Sequence, residues 1–229
     1  TVIEPQKSTD VVIAIPQDIA ASERRSKRIA QQLKALTAER ERLAESTEKY
    51  ANALDVYIND MSQITDGKSF LKVVRDGLTL YVWPNTPNAF SHKINNNSGI
   101  MALTNLNLFL KKKGIDLIVV CVPRNTDFGN IGACSSIPSG VKSPEYLDAL
   151  VELLQNDIEV IDTWSLCYQH KDICIIPFMT NHYPCQSARV FGFALAQLIA
   201  DYNLPITASP MILQDIHADY LAVRTQTGE

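Results

Sequence analysis

From residue 20 to residue 64 the chain contains neither glycine nor proline. So long a run without a breaker admits one regular element, a helix. Its apolar positions agree. Ile29, Leu33, Leu36, Leu43, Tyr50, Leu54, Tyr57, Met61 and Ile64 recur at alternating steps of four and three, and Arg40 and Thr47 interrupt the seam. The flanks are dense in charge, as in SERRSKR and TAERERLAE. The pattern predicts a long amphipathic helix of coiled-coil character, roughly 65 Å from end to end. Two roles are open to it: a solvated helix docked on its own domain, or an arm for self-association or partner binding. Residues 1–19 read as a lead-in segment, residues 20–66 as the arm, and residues 67–229 as a separate domain.

Beyond the sequence TDGKS the period changes. GLTLYVWP alternates and stops at Pro84, as a strand does. IMALTNLNLFLKKKG has helical spacing, lysines in its last turn and Gly114 at its close. IDLIVVCVP is a continuous β-branched run, typical of a central strand covered on both faces. SPEYLDALVELLQND opens on Ser143 as N-cap with Pro144 at the first helical position. IEVIDTW and ICIIPF read as short strands, and CQSARVFGFALAQLIADY as a helix. Strands near 78–83, 116–122, 158–161 and 173–177 are expected in one sheet. Alternating strands and helices predict a layered α/β/α domain with a mostly parallel sheet. Ligands of such sheets bind at the carboxyl ends of the strands. That directs attention to the loops after Trp83, Val122, Ile161 and Phe178.

Composition removes several classes. A net charge of −4 gives no support for a nucleic-acid partner. No apolar run approaches the roughly 20 residues that span a bilayer. The chain starts at Thr1 without Met, so a processed or excised piece is expected. There are five cysteines but no CxxC or HxxxH spacing, so no zinc site and no cofactor are expected. Cys121 reads as a buried small hydrophobe. An oxidising compartment would favour two disulfides among Cys134, Cys167, Cys174 and Cys185.

The stretch TNHYPCQSA, residues 180–188, raises the functional question. His182 either serves as a base at the strand-end edge or merely leads into the helix. KKKGIDLIVVCVPRN, with Pro123 and Arg124 closing the strand, resembles a unit of the SGNH-hydrolase-like domains of the alginate O-acetylation (AlgJ/AlgX) type. YLDALVELLQNDIEVIDTWSL resembles the next helix and short strand of those domains. TNHYPCQSARVFGFALAQLIA resembles that family's Asp-x-His-Trp motif and the helix after it. His182 matches the His, Tyr183 stands for the Trp, and Ala188 for the Ala. The resemblance covers residues 78–202 and implies an SGNH/flavodoxin-like fold. It further implies O-acetylation or deacetylation of a cell-envelope polysaccharide by a Ser–His mechanism, in the periplasm or cell envelope. The partner would be a polysaccharide or an acyl-donor protein.

Two departures qualify it. Thr180 replaces the Asp that orients the imidazole, and Ser187 replaces a Gly. Threonine cannot stabilise an imidazolium by charge. The family's Ser sits on a Gly-Asp-Ser or Gly-Ser-Ser turn downstream, and none occurs after residue 189. Either the chain ends before the nucleophile or the protein lacks it. Ser135 and Ser136 fall in a loop of the wrong order.

The expected catalytic group is therefore His182, with Thr180 and with Asp162 as the substitute carboxylate. Arg124, Asn181 and Tyr183 are the expected substrate contacts. Each also has a bland role, as cap, turn or surface ion pair. Trp83, Tyr81 and Trp164 are either sugar-stacking or core residues. His92 and His217 are assigned nothing. The alternative function is a non-catalytic carbohydrate- or protein-binding relative that uses the arm for assembly.

Overall fold

The structure is a computed structural model, and it describes residues 19–65, 70–84, 86–91, 97–123, 127–170 and 185–202. Two helices, α1 (Ile19–Ala44) and α2 (Thr47–Thr65), precede a hairpin of β1 (Leu71–Arg75) and β2 (Leu78–Val82). Then come α3 (Asn97–Lys111), β3 (Ile118–Cys121), a π-helical turn (Asp127–Ile131), α4 (Pro144–Gln155), β4 (Glu159–Asp162), α5 (Thr163–Gln169) and α6 (Cys185–Ala200).

The expected long helix is present with one interruption. Two turn residues, Glu45 and Ser46, separate α1 from α2. The Thr47 hydroxyl donates to the Leu43 carbonyl at 2.9 Å, and the Ser46 amide donates to the same oxygen at 2.9 Å. Such side-chain back-bonding competes with the helix ladder and bends helices. Thr47, which breaks the apolar seam in the sequence, thus helps to set the break in the helix.

The seam itself is turned inward. Ile29, Leu36, Leu43 and Leu54 are buried, with Leu33, Tyr50, Tyr57 and Met61 packed against them. Ile64 departs from the pattern and stands 67% exposed. α1 lies chiefly against α4 and also touches β4. Arg40, the other break in the seam, pairs with Asp148 of α4 at 3.6 Å. Buried residues of α1, α2, β2, α4 and β4 form one continuous hydrophobic cluster.

The sheet differs from expectation. The described strands form two separate pairs, not one layered parallel sheet. β2, expected beside the other strands, pairs antiparallel with β1 through an Asp76–Gly77 turn. Both turn residues have positive φ, 52° and 76°. An Asp-Gly pair adopts such a turn readily and so closes LKVVR onto LTLYV. This local signal outweighs the parallel arrangement expected for the second strand.

β3 and β4 are parallel, with Ile118 opposite Glu159 and Cys121 opposite Asp162. β3 was expected to be central and covered on both faces. Among the described residues only β4 pairs with it, and Val120 and Val122 stand 37% and 51% exposed. The strand expected at 173–177 lies outside the described residues.

Ends of elements behave as their sequences suggest. The Ser143 hydroxyl caps α4 by accepting from the Tyr146 amide, and Pro144 occupies the first turn. Gly114 closes α3 at φ 71° while the Ile115 amide reaches back to the Leu110 carbonyl, a Schellman-type ending. The π-helical turn packs on β2, and there Gly129 is required. A Cβ at that position would lie 2.2 Å from the Tyr81 carbonyl oxygen. Asn130 completes the contact, with its amide group bonding both the N–H and the carbonyl of Trp83.

The disulfide expectation is corrected at Cys134 and Cys167, while Cys174 and the Cys185 side chain lie outside the described residues. Cys134 and Cys167 are free and buried in the core, and Cys121 is free. As small apolar groups they fill space among the leucines.

Candidate functional site at the carboxyl edge of β3 and β4

The parallel pair ends on Cys121 and Asp162. Asp162 closes β4 and caps α5 at once. Its Oδ1 accepts from the Ser165 amide at 3.1 Å and its Oδ2 from the Ser165 hydroxyl at 2.7 Å. The Tyr146 hydroxyl lies 3.0 Å from Oδ1 and 2.9 Å from the Cys121 carbonyl, so its single proton serves both acceptors. Lys142 Nζ adds an ion pair to Oδ2 at 3.4 Å.

Lys142 is 6% exposed at its side chain and is held from a second side. Its Nζ lies 3.1 and 3.0 Å from the two carboxylate oxygens of Glu39, on α1. The same ammonium sits over the Trp164 ring, 5.1 Å from its centroid. Two carboxylates and an aromatic face offset the cost of burying this charge. Trp164 is stacked between Phe128 and Tyr168, with centroids 5.2 and 5.1 Å away. It is a core residue, whereas Trp83 is 49% exposed.

The electrostatics of this edge suppress reactivity at two groups. Burial, and then the charge of Asp162, pushes the Cys121 thiol up to about 12. The same two causes, in the same order, raise the Tyr146 hydroxyl well above its ordinary value. Neither group ionises near neutral pH, so neither is poised as a nucleophile or base.

Of the residues expected from the sequence, only Asp162 can be placed. It stands at the carboxyl edge as expected, but its oxygens are engaged by capping, Tyr146 and Lys142. Arg124, Thr180, Asn181, His182 and Tyr183 lie outside the described residues. Ser135 and Ser136 are exposed on a turn that Arg75 holds through the carbonyls of Gly132, Cys134 and Ile137. Ser187, in the first turn of α6, is fully buried and its hydroxyl has no hydrogen-bond partner.

Sequence reasoning missed Lys142, Tyr146 and Glu39. Glu39 and Lys142 are 103 positions apart, and no local pattern joins them. Among the described residues no group of three His, Cys, Asp or Glu is placed to hold a metal ion, and no helix is long and apolar enough to cross a membrane. No family model, curated protein or solved structure matches the chain.

Proposed function

We propose that the carboxyl edge of β3 and β4 is the ligand-binding end of an SGNH-hydrolase-like domain. Its ligand is an O-acetylated cell-envelope polysaccharide, which this chain binds without turning it over. The observation that carries the reading is the state of Asp162. Asp162, the better placed of the two carboxylates that could replace the family's Asp (the other, Asp172, lies outside the described residues), is engaged at both oxygens, by the α5 cap and by Lys142. An imidazole would have to share it with the cap, with Tyr146 and with the Lys142 ammonium. In this reading His182 serves as a hydrogen-bonding group for sugar hydroxyls, with its sequence neighbours Asn181 and Tyr183. Arg124, just past β3, supplies a cation for a carboxylate or oxyanion on the glycan. The reading places the chain in the periplasm or cell envelope. Acyl transfer becomes possible where another polypeptide or a further segment supplies an activated serine.

The test has two arms. The chain and its His182→Ala variant are assayed with an activated acetyl ester, and each is titrated with acetylated and deacetylated polysaccharide fragments. Background hydrolysis in both proteins is expected, with saturable binding weakened about tenfold by Arg124→Ala, a loss of the order expected for one charged contact. Turnover well above buffer that vanishes with His182→Ala would show a working base. Absence of any saturable binding would remove the carbohydrate ligand from the reading.

A further inference from the structure

On the other side of Lys142 lies an open cleft, between the corner of α1 and α2 and the Pro138–Lys142 loop. Its cavity volume is about 250 Å³, just below the range of drug-sized ligand sites and enough for a compact ligand. Its apolar wall includes Leu43, Tyr50, Val141 and Leu147. Leu147 is 1% exposed and Leu43 8%, so this wall belongs to the rigid core. The polar wall is Glu39, Arg42 and Lys142. Glu39 spends both oxygens on Lys142. Lys142 in turn is committed to Glu39 and Asp162. Arg42, in the last turn of α1, is exposed and lines the cleft.

We propose that this cleft binds a small amphipathic carboxylate, a compact anionic head on a short apolar body. The head takes the Arg42 fork, whose paired N–H groups match a carboxylate in geometry as well as charge. The body lies on the half-buried Tyr50 and Val141, with Leu43 and Leu147 packed behind them. Charge favours an anion over a cation. Of the charged side chains that line it, Glu39 and Lys142 offset one another, which leaves Arg42 to attract an anion. The inference does not depend on the polysaccharide reading, because the two sites lie on opposite sides of Lys142 and take different ligands.

The test uses the full chain and three probes: octanoate, octanol and acetate. Octanol has the body without the charge, and acetate the head without the body. Binding is followed by amide chemical-shift changes, which also locate the ligand. Octanoate is expected to saturate, with shifts at residues 39–50 and 138–147. Octanol and acetate are expected to bind at least ten times more weakly. Arg42→Gln, an exposed substitution on the helix surface, should weaken octanoate at least tenfold at an unchanged melting temperature. Val141→Asp, which puts an anion on the half-buried edge of the wall, should abolish octanoate binding. Equal affinity for octanoate and octanol, no effect of Arg42→Gln, or shifts located elsewhere would each overturn the proposal. So would a failure of octanoate to saturate. Polysaccharide binding that persists in Arg42→Gln while octanoate binding is lost would separate this site from the edge of the sheet.

Discussion

Replacing Asp162 by alanine removes several contacts in one step. The cap of α5 loses its acceptor, Tyr146 loses one of its two acceptors, and buried Lys142 keeps Glu39 alone. A lost cap costs about 1 kcal/mol, and a half-broken buried ion pair costs more. Asp162→Ala should therefore destabilise the protein by about 2–4 kcal/mol, read from urea unfolding. Asp162→Asn keeps a good capping side chain, and its cost should be roughly half as large. Equal losses for the two variants would show that the charge of Asp162, rather than its cap, dominates. No loss in either would mean that this edge is not a rigid junction. In the sequence, Asp162 could be read both as a strand-end carboxylate and as a cap. The structure shows the cap, because Ser165 sits where its amide and its hydroxyl both reach the carboxylate. What could not be read was Lys142. It precedes a helix N-cap with nothing local to mark it, and its partners Glu39 and Asp162 come from α1 and β4.

Two glycines separate a positional requirement from a mere tolerance. Gly129 packs its Cα on the backbone of β2, and a methyl group there would overlap the Tyr81 carbonyl. Gly192 lies in the middle of α6 with nothing within 4 Å of a Cβ placed there. Gly129→Ala should cost about 1–3 kcal/mol, since overpacking against backbone cannot relax through a rotamer. Gly192→Ala should stabilise by about 0.5–1 kcal/mol, the ordinary helix preference of alanine over glycine. Thermal unfolding of the two variants measures both signs, and a stabilising Gly129→Ala would contradict the close approach of the π-helical turn to β2. Elements marked by their own sequence were legible. The seam of α1 and α2, the caps of α3 and α4, and the parallel strands β3 and β4 all arise from periodicity and end residues. The hairpin is an exception although Asp76–Gly77 is a strong turn signal, because GLTLYVWP fits a strand of a parallel sheet equally well. α5 is another, because its seven residues come directly after β4 and only the cap marks its start.

At the scale of the molecule, α1 and α2 share one core with the strands and helices of the other described residues. Ile29, Leu36, Leu43 and Leu54 bury their side chains in the same cluster as Leu147, Leu150, Val160 and Trp164. At about 1.5–3 kcal/mol for each fully buried aliphatic side chain, these four contribute roughly 6–12 kcal/mol. The polar contacts at the amino edge of β4 add to this. Arg28 pairs at 2.7 Å with Glu159, whose side chain is 1% exposed, and Tyr202 donates to the same carboxylate. Arg25, its side chain only 5% exposed, lies 3.1 Å from Asp157 and 3.5 Å from Asp116. The Gln32 amide reaches the Val160 carbonyl on β4 at 3.4 Å. Removing α1 would leave Glu159 as a buried carboxylate without its cation, at a cost of several kcal/mol. Together these losses match or exceed the roughly 5–15 kcal/mol that keeps an ordinary domain folded. A chain beginning at residue 66 should therefore lose cooperative unfolding and near-ultraviolet circular dichroism, while the whole chain unfolds in one transition. Arg28→Met tests the polar share alone, and it should lower the unfolding midpoint strongly while leaving the apolar seam in place. A shortened chain that still unfolds cooperatively would show that β3, α4 and β4 hold a sufficient core without the helices. The seam that the sequence offers equally to a partner would then be dispensable to the fold. The burial of Leu36 and Leu43 in the core, on a helix packed against α4, argues the reverse, because the face that could have recruited a partner is already occupied by the chain itself.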